Sequence, residues 1–437
     1  MFGQIFQFAA VLTDENFRII EEFEIRSRRM PHIVPSPGAL LVTGVSPTIL
    51  DQAEFSYYEF STRIRNKLLS WSPAVVCGYN TLNFDESYLR SLFYQNLYPP
   101  YLTQTNGNSR LDILPLVRAA EYVHPSLLNY PINKDGETSK KLEHISAANG
   151  FADHQAHDAM GDVMATVHLA KIIKESSPTL WNSATSATSR RAFNGRLDQN
   201  NPLVIYDQNG RWPIIYPGLK IGKVDGGRNT LFFDLRHDPK TTNLEKPKKC
   251  FVGKDRSFRV CKDAEVPITF SLEEWCELSV GPNFSDHLSR EKVSQALAVL
   301  DISATIDAFH STKKRYDKSP HLEEQIYDDF HAFDEERWLI NDFHDADPEL
   351  KTVLSDRFND PRFGALARRL IFENFSNQMP PEQITEYEAK ISDRIHTMDE
   401  VPWMTVSKAV TECDELEETM PDRAPEIDLI RRYVLSL

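Results

Sequence analysis

The sequence contains few cysteines, and their arrangement suits neither disulfides nor zinc. Five occur in 437 residues, namely Cys77, Cys250, Cys261, Cys276 and Cys413. Their number is odd, they are scattered, and no Cys-x-x-Cys pair is present. The sequence therefore excludes a disulfide-rich scaffold, and we expect free thiols in a reducing compartment.

A long apolar run is also missing. No stretch approaches the roughly 18 to 20 apolar residues that a membrane span needs. The start, Met1-Phe-Gly-Gln-Ile5, lacks the basic residues that open a secretory signal. We therefore expect a cytoplasmic protein with no membrane partner.

Basic residues are also fewer than acidic residues. The chain has 49 Lys and Arg against 64 Asp and Glu, which gives a formal net charge of −15. This charge argues against a protein that binds nucleic acid over its whole surface, because phosphate contacts need Lys and Arg. A basic groove on an otherwise acidic body remains compatible with it.

The residues that are present predict a folded chain of two or three domains, since 437 residues exceed one ordinary core. Apolar residues over 5–12 and 18–25, separated by a polar turn, predict a β-hairpin. Helical spacing follows at 54–70, 86–98, 113–122, 142–149 and 158–174, with a short apolar strand at 74–78. Strands that alternate with helices predict an α/β layer fold.

Composition changes along the chain predict the domain boundaries. The run Asn182-Ser-Ala-Thr-Ser-Ala-Thr-Ser189 is typical of a linker, which we assign to residues 177–199. The α/β domain then covers 1–176. Strand patterns predict a β domain over 200–318, and helical patterns predict a helical domain over 319–437.

Three polar residues in the first domain suit phosphodiester hydrolysis. Asp85 and Asp162 offer the hard oxygen ligands that Mg²⁺ or Mn²⁺ prefers. His157 is a candidate general base for an attacking water. His157 and Asp162 converge only if His157 precedes the helix, which Asp158 at the helix start would favour.

Each of these residues also has a purely structural interpretation. Asp85 is compatible with a cap on the helix that begins near Glu86, and Asp162 with a solvated surface position. His154 and His157 form an H-x-x-H spacing, but no neighbouring Glu or third ligand supports a zinc site. The combination of residues, rather than any one of them, points to catalysis.

Four segments resemble a known family. They are Gly78-Tyr-Asn-Thr-Leu-Asn-Phe-Asp85, Gly107-Asn-Ser-Arg110, Leu142-Glu-His-Ile-Ser-Ala-Ala-Asn-Gly150 and Ala156-His-Asp-Ala-Met-Gly-Asp-Val163. They closely resemble bacterial exodeoxyribonuclease I, of the DEDDh 3′–5′ exonucleases. The resemblance implies an RNase H-like exonuclease domain, an SH3-like β domain and an α-helical C-terminal domain. It also implies removal of mononucleotides from the 3′ end of single-stranded DNA, in repair and recombination.

The resemblance also assigns site residues by position. Asp85 and Asp162 match two of four acidic ligands for two Mg²⁺ ions, and His157 matches the histidine that activates water. Three further positions match residues that contact the DNA strand: Arg90, Tyr101 and Arg118. Lys141 stands where the family usually has an Arg beside the scissile phosphate, so the charge is kept and the bidentate fork is lost.

The sequence departs from the family at its start. The family carries Asp-x-Glu on its first strand, ahead of the strand that matches Gln7-Phe-Ala-Ala10, and no acidic residue precedes Asp14 here. We therefore expect the central first strand to be missing and its neighbours to expose unpaired edges. A product that starts upstream of Met1 is the favoured explanation, and a damaged remnant is the alternative. The 437-residue polypeptide itself is expected to be inactive or nearly so.

Residues 246–262 combine seven basic residues with Phe251 and Phe258. Cations bind phosphates and rings stack on bases, so this segment is a candidate single-strand groove. A solvated loop with its rings in the core is the other interpretation. The family's contacts with single-strand-binding protein imply that partner, and we expect a monomer. A non-catalytic single-stranded-DNA-binding or interaction protein is the alternative function.

Overall fold

The computed structural model describes residues 2–151, 158–197, 201–207, 214–253, 255–278, 281–314, 317–328 and 331–437. Mixed strands and helices come first, a β-sheet follows, and helices form the rest of the chain. This order agrees with the predicted fold class. No described helix has both the length and the apolar composition needed to cross a membrane.

The first region alternates strands with helices. Its strands are β1 (Gln7–Thr13), β2 (Ile19–Arg26), β3 (Val75–Gly78) and β4 (Ser109–Asp112). Its helices are α1 (Pro37–Thr43), α2 (Pro47–Gln52), α3 (Tyr57–Ser70), α4 (Asp85–Gln95), α5 (Ile113–Val123), α6 (Leu142–Ala148) and α7 (Ala159–Ser176). The predicted hairpin and the predicted helices all occur within a few residues of their expected bounds.

The strands of this region form two separate pairs. β1 and β2 are antiparallel, with Gln7 opposite Arg26, and β3 is parallel to β4, with Gly78 opposite Asp112. Among the described residues, no strand joins the two pairs into one sheet. β1 thus pairs only with β2, and β3 only with β4, among the described strands. Val75 on β3 is 52% exposed.

The second region begins with two helices, α8 (Pro178–Thr185) and α9 (Arg190–Leu197). Its strands are β5 (Leu203–Asp207), β6 (Ile214–Val224), β7 (Asn229–Asp234), β8 (Phe258–Lys262) and β9 (Ile268–Phe270). They form an antiparallel sheet in the order β8-β7-β6-β5-β9. The helices around it are α10 (Pro247–Phe251), α11 (Leu272–Leu278), α12 (Arg290–Val299) and α13 (Ile302–Ser311).

The prediction of a linker at 177–199 is wrong for the described part of that segment. Leu180, Ala184 and Phe193 are fully buried, so both helices belong to the core. Thr185 satisfies its hydroxyl by donating to the carbonyl of Trp181 at 2.9 Å, one turn earlier. Small hydroxyl residues are therefore tolerated inside a helix here, although their composition is typical of a flexible segment. The other domain boundaries stay predictions.

The third region is helical. It comprises α14 (Ala332–Glu335), α15 (Arg337–Asp345), α16 (Pro348–Ser355), α17 (Pro361–Phe375), α18 (Pro381–His396), α19 (Val406–Thr419) and α20 (Ala424–Leu435). Ile427 and Val434 on α20 pack into one cluster with Leu40 and Leu50 of the first region. Residues from α15 and α17 share another cluster with Tyr94 and Leu97. The end of the chain is therefore packed against its beginning.

Candidate active site

Asp112 organises the loop that carries the motif from Gly78 to Asp85. It is buried, and its carboxylate accepts backbone N–H groups from Asn80 at 2.8 Å and from Leu82 at 3.1 Å. The same carboxylate caps α5 by accepting from the N–H of Leu114 at 3.1 Å. One buried acid thus fixes both the loop after β3 and the helix after β4.

Two backbone features let this loop turn sharply. Asn80 has a φ of 60°, a left-handed conformation that Asn adopts more readily than most residues. At Gly78, an added Cβ would lie 2.8 Å from the Cβ of Thr81, so a larger residue would force the loop apart. The loop then leads directly into α4.

Asp85 is the first residue of α4 and not its cap. The N-cap is Phe84, which makes no side-chain capping hydrogen bond, so the capping interpretation of Asp85 is wrong. Asp85 keeps solvent access, yet the protein around it desolvates its carboxylate and raises its pKa to about 6. The negative charge of nearby Asp112 raises the pKa further, whereas the Thr81 hydroxyl lowers it. A bound cation would stabilise such a carboxylate.

Asp162 lies in the first turn of α7, as the sequence predicts. Asp158 caps this helix, and one carboxylate oxygen accepts the N–H of Gly161 at 3.2 Å. The other oxygen accepts from Gln7 Nε2 at 3.1 Å, which ties α7 to β1. His157 and His154 lie outside the described residues, so the expected approach of His157 to Asp162 stays a prediction.

Asp85 and Asp162 are residues of a type that binds divalent cations, but two carboxylates are too few for a site with two ions. Both Asp85 and Asp162 offer carboxylate oxygens at helix starts. Within the described ranges, however, no group of three or more His, Cys, Asp or Glu side chains converges on a common point. The described residues thus supply fewer donors than two ions need.

Arg90 on α4 and Tyr101 beyond the end of α4 lie together. The Arg90 guanidinium stands over the Tyr101 ring at 5.5 Å from its centroid. Its Nη2 lies 3.2 Å from an oxygen of Glu86, a residue that is only 1% exposed. Glu86 also accepts from Arg110 Nη1 at 3.0 Å, so one buried carboxylate orients two arginines.

Arg118 and Lys141 lie near Tyr79, in the loop from Gly78 to Asp85. Arg118 on α5 is close enough to Tyr79 to influence its titration. Tyr79 donates its hydroxyl to the carbonyl of Lys140 at 2.5 Å, and the next residue, Lys141, is the exposed N-cap of α6. Two of the four predicted DNA-contact residues therefore lie near Tyr79 of this loop. Their roles in binding DNA stay predictions.

The structure favours the core interpretation of residues 246–262. Phe258 is 1% exposed and stacks on Phe251 at 5.1 Å between ring centroids, within the core of the β-sheet. Arg256 pairs with Asp207 and Arg259 with Asp234. These rings are therefore not available to stack on bases, and two of the basic residues, Arg256 and Arg259, stabilise the sheet.

Sequence reasoning missed Asp112 and Glu86 as residues that support the site. Asp112 stands at the end of β4 just before α5, a position that the sequence marks only as a possible helix cap. Glu86 follows Asp85 directly and looks like an ordinary first-turn acid. Burial shows their roles, and burial depends on chain segments far away in sequence.

Comparison with curated proteins finds exodeoxyribonucleases. The exodeoxyribonuclease I of Buchnera aphidicola subsp. Schizaphis graminum is 27% identical over 407 residues, which cover 87% of this chain and 82% of that protein. The exodeoxyribonuclease I of Escherichia coli K12 is 36% identical over 211 residues, 47% of this chain and 44% of that protein. The match of higher identity thus spans less than half of the relative. No family model matches the chain.

Solved structures of exonuclease I share the fold. The enzyme from Methylocaldum szegediense superposes with a TM-score of 0.81 at 22% identity, covering 99% of this chain and 95% of the other. Escherichia coli exonuclease I in complex with a dA16 oligonucleotide gives the same score and identity and covers 99% and 94%. A complex of SSB and exonuclease I with an inhibitor has a TM-score of 0.78 at 22% identity, covering 99% and 94%. In sequence this chain is similar to bacterial exodeoxyribonuclease I, and it shares the fold of the solved exonuclease I structures.

Proposed function

We propose that the chain is a 3′–5′ exodeoxyribonuclease that hydrolyses single-stranded DNA to mononucleotides. The observation that carries the proposal is the loop held by Asp112, which presents the desolvated Asp85 carboxylate at the start of α4, the helix that also carries the oriented Arg90 guanidinium. A carboxylate that can hold a cation and an arginine that can bind phosphate are groups that phosphodiester hydrolysis needs. The relatives named exodeoxyribonuclease I support the same assignment.

Each site residue has a chemical role in this proposal. Asp85 and Asp162 hold a divalent cation, for which Mg²⁺ suits the carboxylate donors, with two ions expected where all four family acids are present. The bound metal polarises the scissile phosphate and lowers the pKa of water. His157 accepts the proton of the attacking water. Lys141 and Arg90 bind phosphates, and Arg118 and Tyr101 contact the strand.

Single-stranded DNA is the proposed substrate, and single-strand-binding protein is the proposed partner. The solved relatives include one with a dA16 oligonucleotide and one with SSB. Both ligands support an action on exposed single strands, and the proposed setting of this action is DNA repair and recombination. The acidic body of this chain, with a net charge of −15, requires that binding be confined to local basic surfaces.

The test is a cleavage assay with strand polarity as its readout. Single-stranded DNA labelled at the 5′ end is incubated with the protein and Mg²⁺, and duplex DNA of the same sequence serves as control. We expect a slow ladder of shortened, still labelled products from the single strand only. Release of the 5′ label as a first product, or equal cutting of the duplex, would exclude the proposal.

A second candidate function is single-stranded-DNA binding without cleavage. It is favoured by one observation, that the described residues bring no three metal donors together. This function predicts salt-dependent binding that persists in EDTA and in His157→Ala, with no ladder under any metal condition. A ladder that depends on His157 would exclude it.

A further inference from the structure

A polar cluster joins the β1–β2 hairpin to the start of α7. It consists of Gln7 on β1, Glu24 and Arg26 on β2, and Asp158 before α7. Gln7 lies opposite Arg26 in the antiparallel pair, and Glu24 lies two residues before Arg26 on the same strand. Side chains at opposite positions share one face of a hairpin, and so do side chains two residues apart on a strand. The register therefore brings the three hairpin side chains together.

The Gln7 amide lies at the centre of this cluster. Its Nε2 donates to Glu24 Oε1 at 2.8 Å and to Asp158 Oδ1 at 3.1 Å. A carboxamide nitrogen carries two hydrogens, so both donors are used. Because the amide is neutral, it holds two carboxylates without adding a charge. A carboxylate at position 7 would repel both of them, and an apolar side chain would bind neither.

Arg26 adds a weaker, electrostatic contact to the same two carboxylates. Its Nη2 lies 3.7 Å from Glu24 Oε1 and 4.0 Å from Asp158 Oδ1. The exposed fraction of these three side chains is 36% to 38%, so water screens the ion pairs. Exposed ion pairs of this kind contribute little to stability. The hydrogen bond from Gln7, rather than the charge of Arg26, therefore fixes the Asp158 carboxylate.

Asp158 also holds the first turn of α7. Its Oδ2 accepts the N–H of Gly161 at 3.2 Å, and its backbone carbonyl accepts the N–H of Asp162 at 3.0 Å. One oxygen of the carboxylate thus contacts β1, and the other caps the helix. Asp162 lies in this first turn, and His157 immediately precedes Asp158 in the sequence. The Gln7 amide therefore fixes the helix start that carries Asp162.

A contribution to folding alone is the competing explanation of the cluster. Its members lie at partly exposed positions, and the cap on Gly161 does not use the oxygen that Gln7 binds. Loss of the Gln7 amide would leave the helix capped, but it would free the Asp158 carboxylate to rotate. Metal ligands tolerate such freedom poorly, because the hydrogen-bond partners behind them commonly change metal affinity by about 10- to 100-fold.

We propose that Gln7 is a positioning residue for the metal-binding carboxylate of Asp162. Its amide holds Asp158, and Asp158 holds the turn of α7 in which Asp162 lies. Gln7 acts on the affinity for the divalent cation and not on the affinity for DNA. The inference rests on the proposed function, in which Asp162 binds that cation.

The test measures binding of Mn²⁺, which replaces Mg²⁺ as the probe, in the absence of DNA. Electron paramagnetic resonance quantifies the free Mn²⁺ and does not require cleavage. Asp162→Asn identifies the part of the binding that belongs to the site, and Gln7→Leu removes the two donors. The matched control is Gln295→Leu, because Gln295 also donates its Nε2 to a glutamate, Glu291 at 3.1 Å, but lies on α12.

We expect Gln7→Leu to bind Mn²⁺ about tenfold more weakly at the site that Asp162→Asn removes. Gln295→Leu should match the unmodified protein. In Gln7→Leu, the affinity for single-stranded DNA in EDTA and the midpoint of urea unfolding should both stay unchanged, because the helix cap remains. A residue that served folding alone would lower the urea midpoint instead.

A double-mutant cycle tests whether Gln7 acts through Asp158. Asp158→Ser keeps one side-chain oxygen to cap α7 but loses the second oxygen, to which Gln7 donates. We expect Asp158→Ser to weaken Mn²⁺ binding about as much as Gln7→Leu, and the double variant to bind no more weakly than either. Asp158→Ser also tests the inference where Gln7→Leu folds poorly.

Three results would overturn the inference. The first is a Gln7→Leu variant with the Mn²⁺ affinity of the control. The second is a double variant whose loss is the product of the two single losses, since Gln7 would then act independently of Asp158. The third is a loss of DNA affinity in EDTA that equals the loss of Mn²⁺ affinity, which would indicate damage to the fold. An unmodified protein with no Mn²⁺ site that depends on Asp162 would instead contradict the proposed function itself.

Discussion

Individual residues decide how the motif loop is held, and Asp112 has the largest share. Its buried carboxylate satisfies three backbone N–H groups, those of Asn80, Leu82 and Leu114. Each of them would lack a partner if the carboxylate were lost. The position of Asp85 therefore depends on Asp112, which lies twenty-seven residues later in the chain.

Asp112→Asn is the direct test of this role. The amide keeps one acceptor and turns a donor toward a backbone N–H, so we expect a loss of about 2 kcal/mol in the free energy of unfolding. Urea denaturation measures it. Asp135→Asn, at an exposed position in a loop, is the control and should change stability by less than about 0.5 kcal/mol. Equal stability of the two variants would contradict the assigned role.

At the scale of elements, the sequence predicts most of the first region. Apolar alternation identifies β1 and β2, and helical spacing identifies α3 to α7, because one buried face gives each element its period. Composition gave a wrong prediction at α8, where small residues occupy buried positions. Ser183 and Ala184 are fully buried in α8, although a run of Ser, Thr and Ala is typical of linkers.

Ala184→Glu tests whether α8 belongs to the core. A carboxylate placed at this fully buried position must be desolvated without a partner, so we expect a loss of about 3 kcal/mol or more in the free energy of unfolding. Asn182→Glu on the same helix is the matched control, since Asn182 is exposed. If both variants unfold at the same urea concentration, α8 does not pack as described.

The sequence predicts residues for the candidate site, but it predicts only part of the geometry around them. The motif strings single out Asp85 and Asp162, whereas Arg90 follows only by position from the resemblance to the family. The pairing of Arg110 with Glu86 and the pairing of Arg259 with Asp234 depend on contacts between distant segments. Local patterns carry no information about such contacts.

At the scale of the whole molecule, the three regions share their cores. One buried cluster contains Ile113 and Leu169 of the first region together with Val204 and Phe233 of the β-sheet region. His344 on α15 joins the helical region to the first one. It stacks on Tyr98 at 4.0 Å between ring centroids, and its Nε2 donates to the Leu97 carbonyl at 3.0 Å.

Because His344 lies in this contact, the packing of the helical region against the first region depends on pH. Burial lowers the pKa of His344 to about 4, below the value of 6.5 for an unperturbed histidine. The unfolded chain therefore takes up a proton at a higher pH than the folded chain does. The contribution of His344 to stability is complete above pH 6.5 and is lost as the pH falls from 6.5 toward 4.

His344→Gln removes this titration. We expect the unmodified protein to lose roughly 2 kcal/mol more stability than the variant between pH 7 and pH 5, because the two pKa values lie on either side of pH 5. Thermal or urea unfolding at both pH values measures the difference. His310→Gln, at an exposed position on α13, should keep the acid sensitivity of the unmodified protein. An identical pH dependence for His344→Gln would contradict the assignment.

The central claim is that Asp85 serves hydrolysis at a single-stranded 3′ end. The most direct measurement is a single-turnover assay with protein in excess over 5′-labelled single-stranded DNA, which makes even slow cleavage visible. We expect a ladder of products shortened from the 3′ end. This ladder should need Mg²⁺ or Mn²⁺, and it should be present in Asp135→Asn but absent in Asp85→Asn. An equal ladder in Asp85→Asn, or DNA binding without any ladder in the unmodified protein, would contradict it.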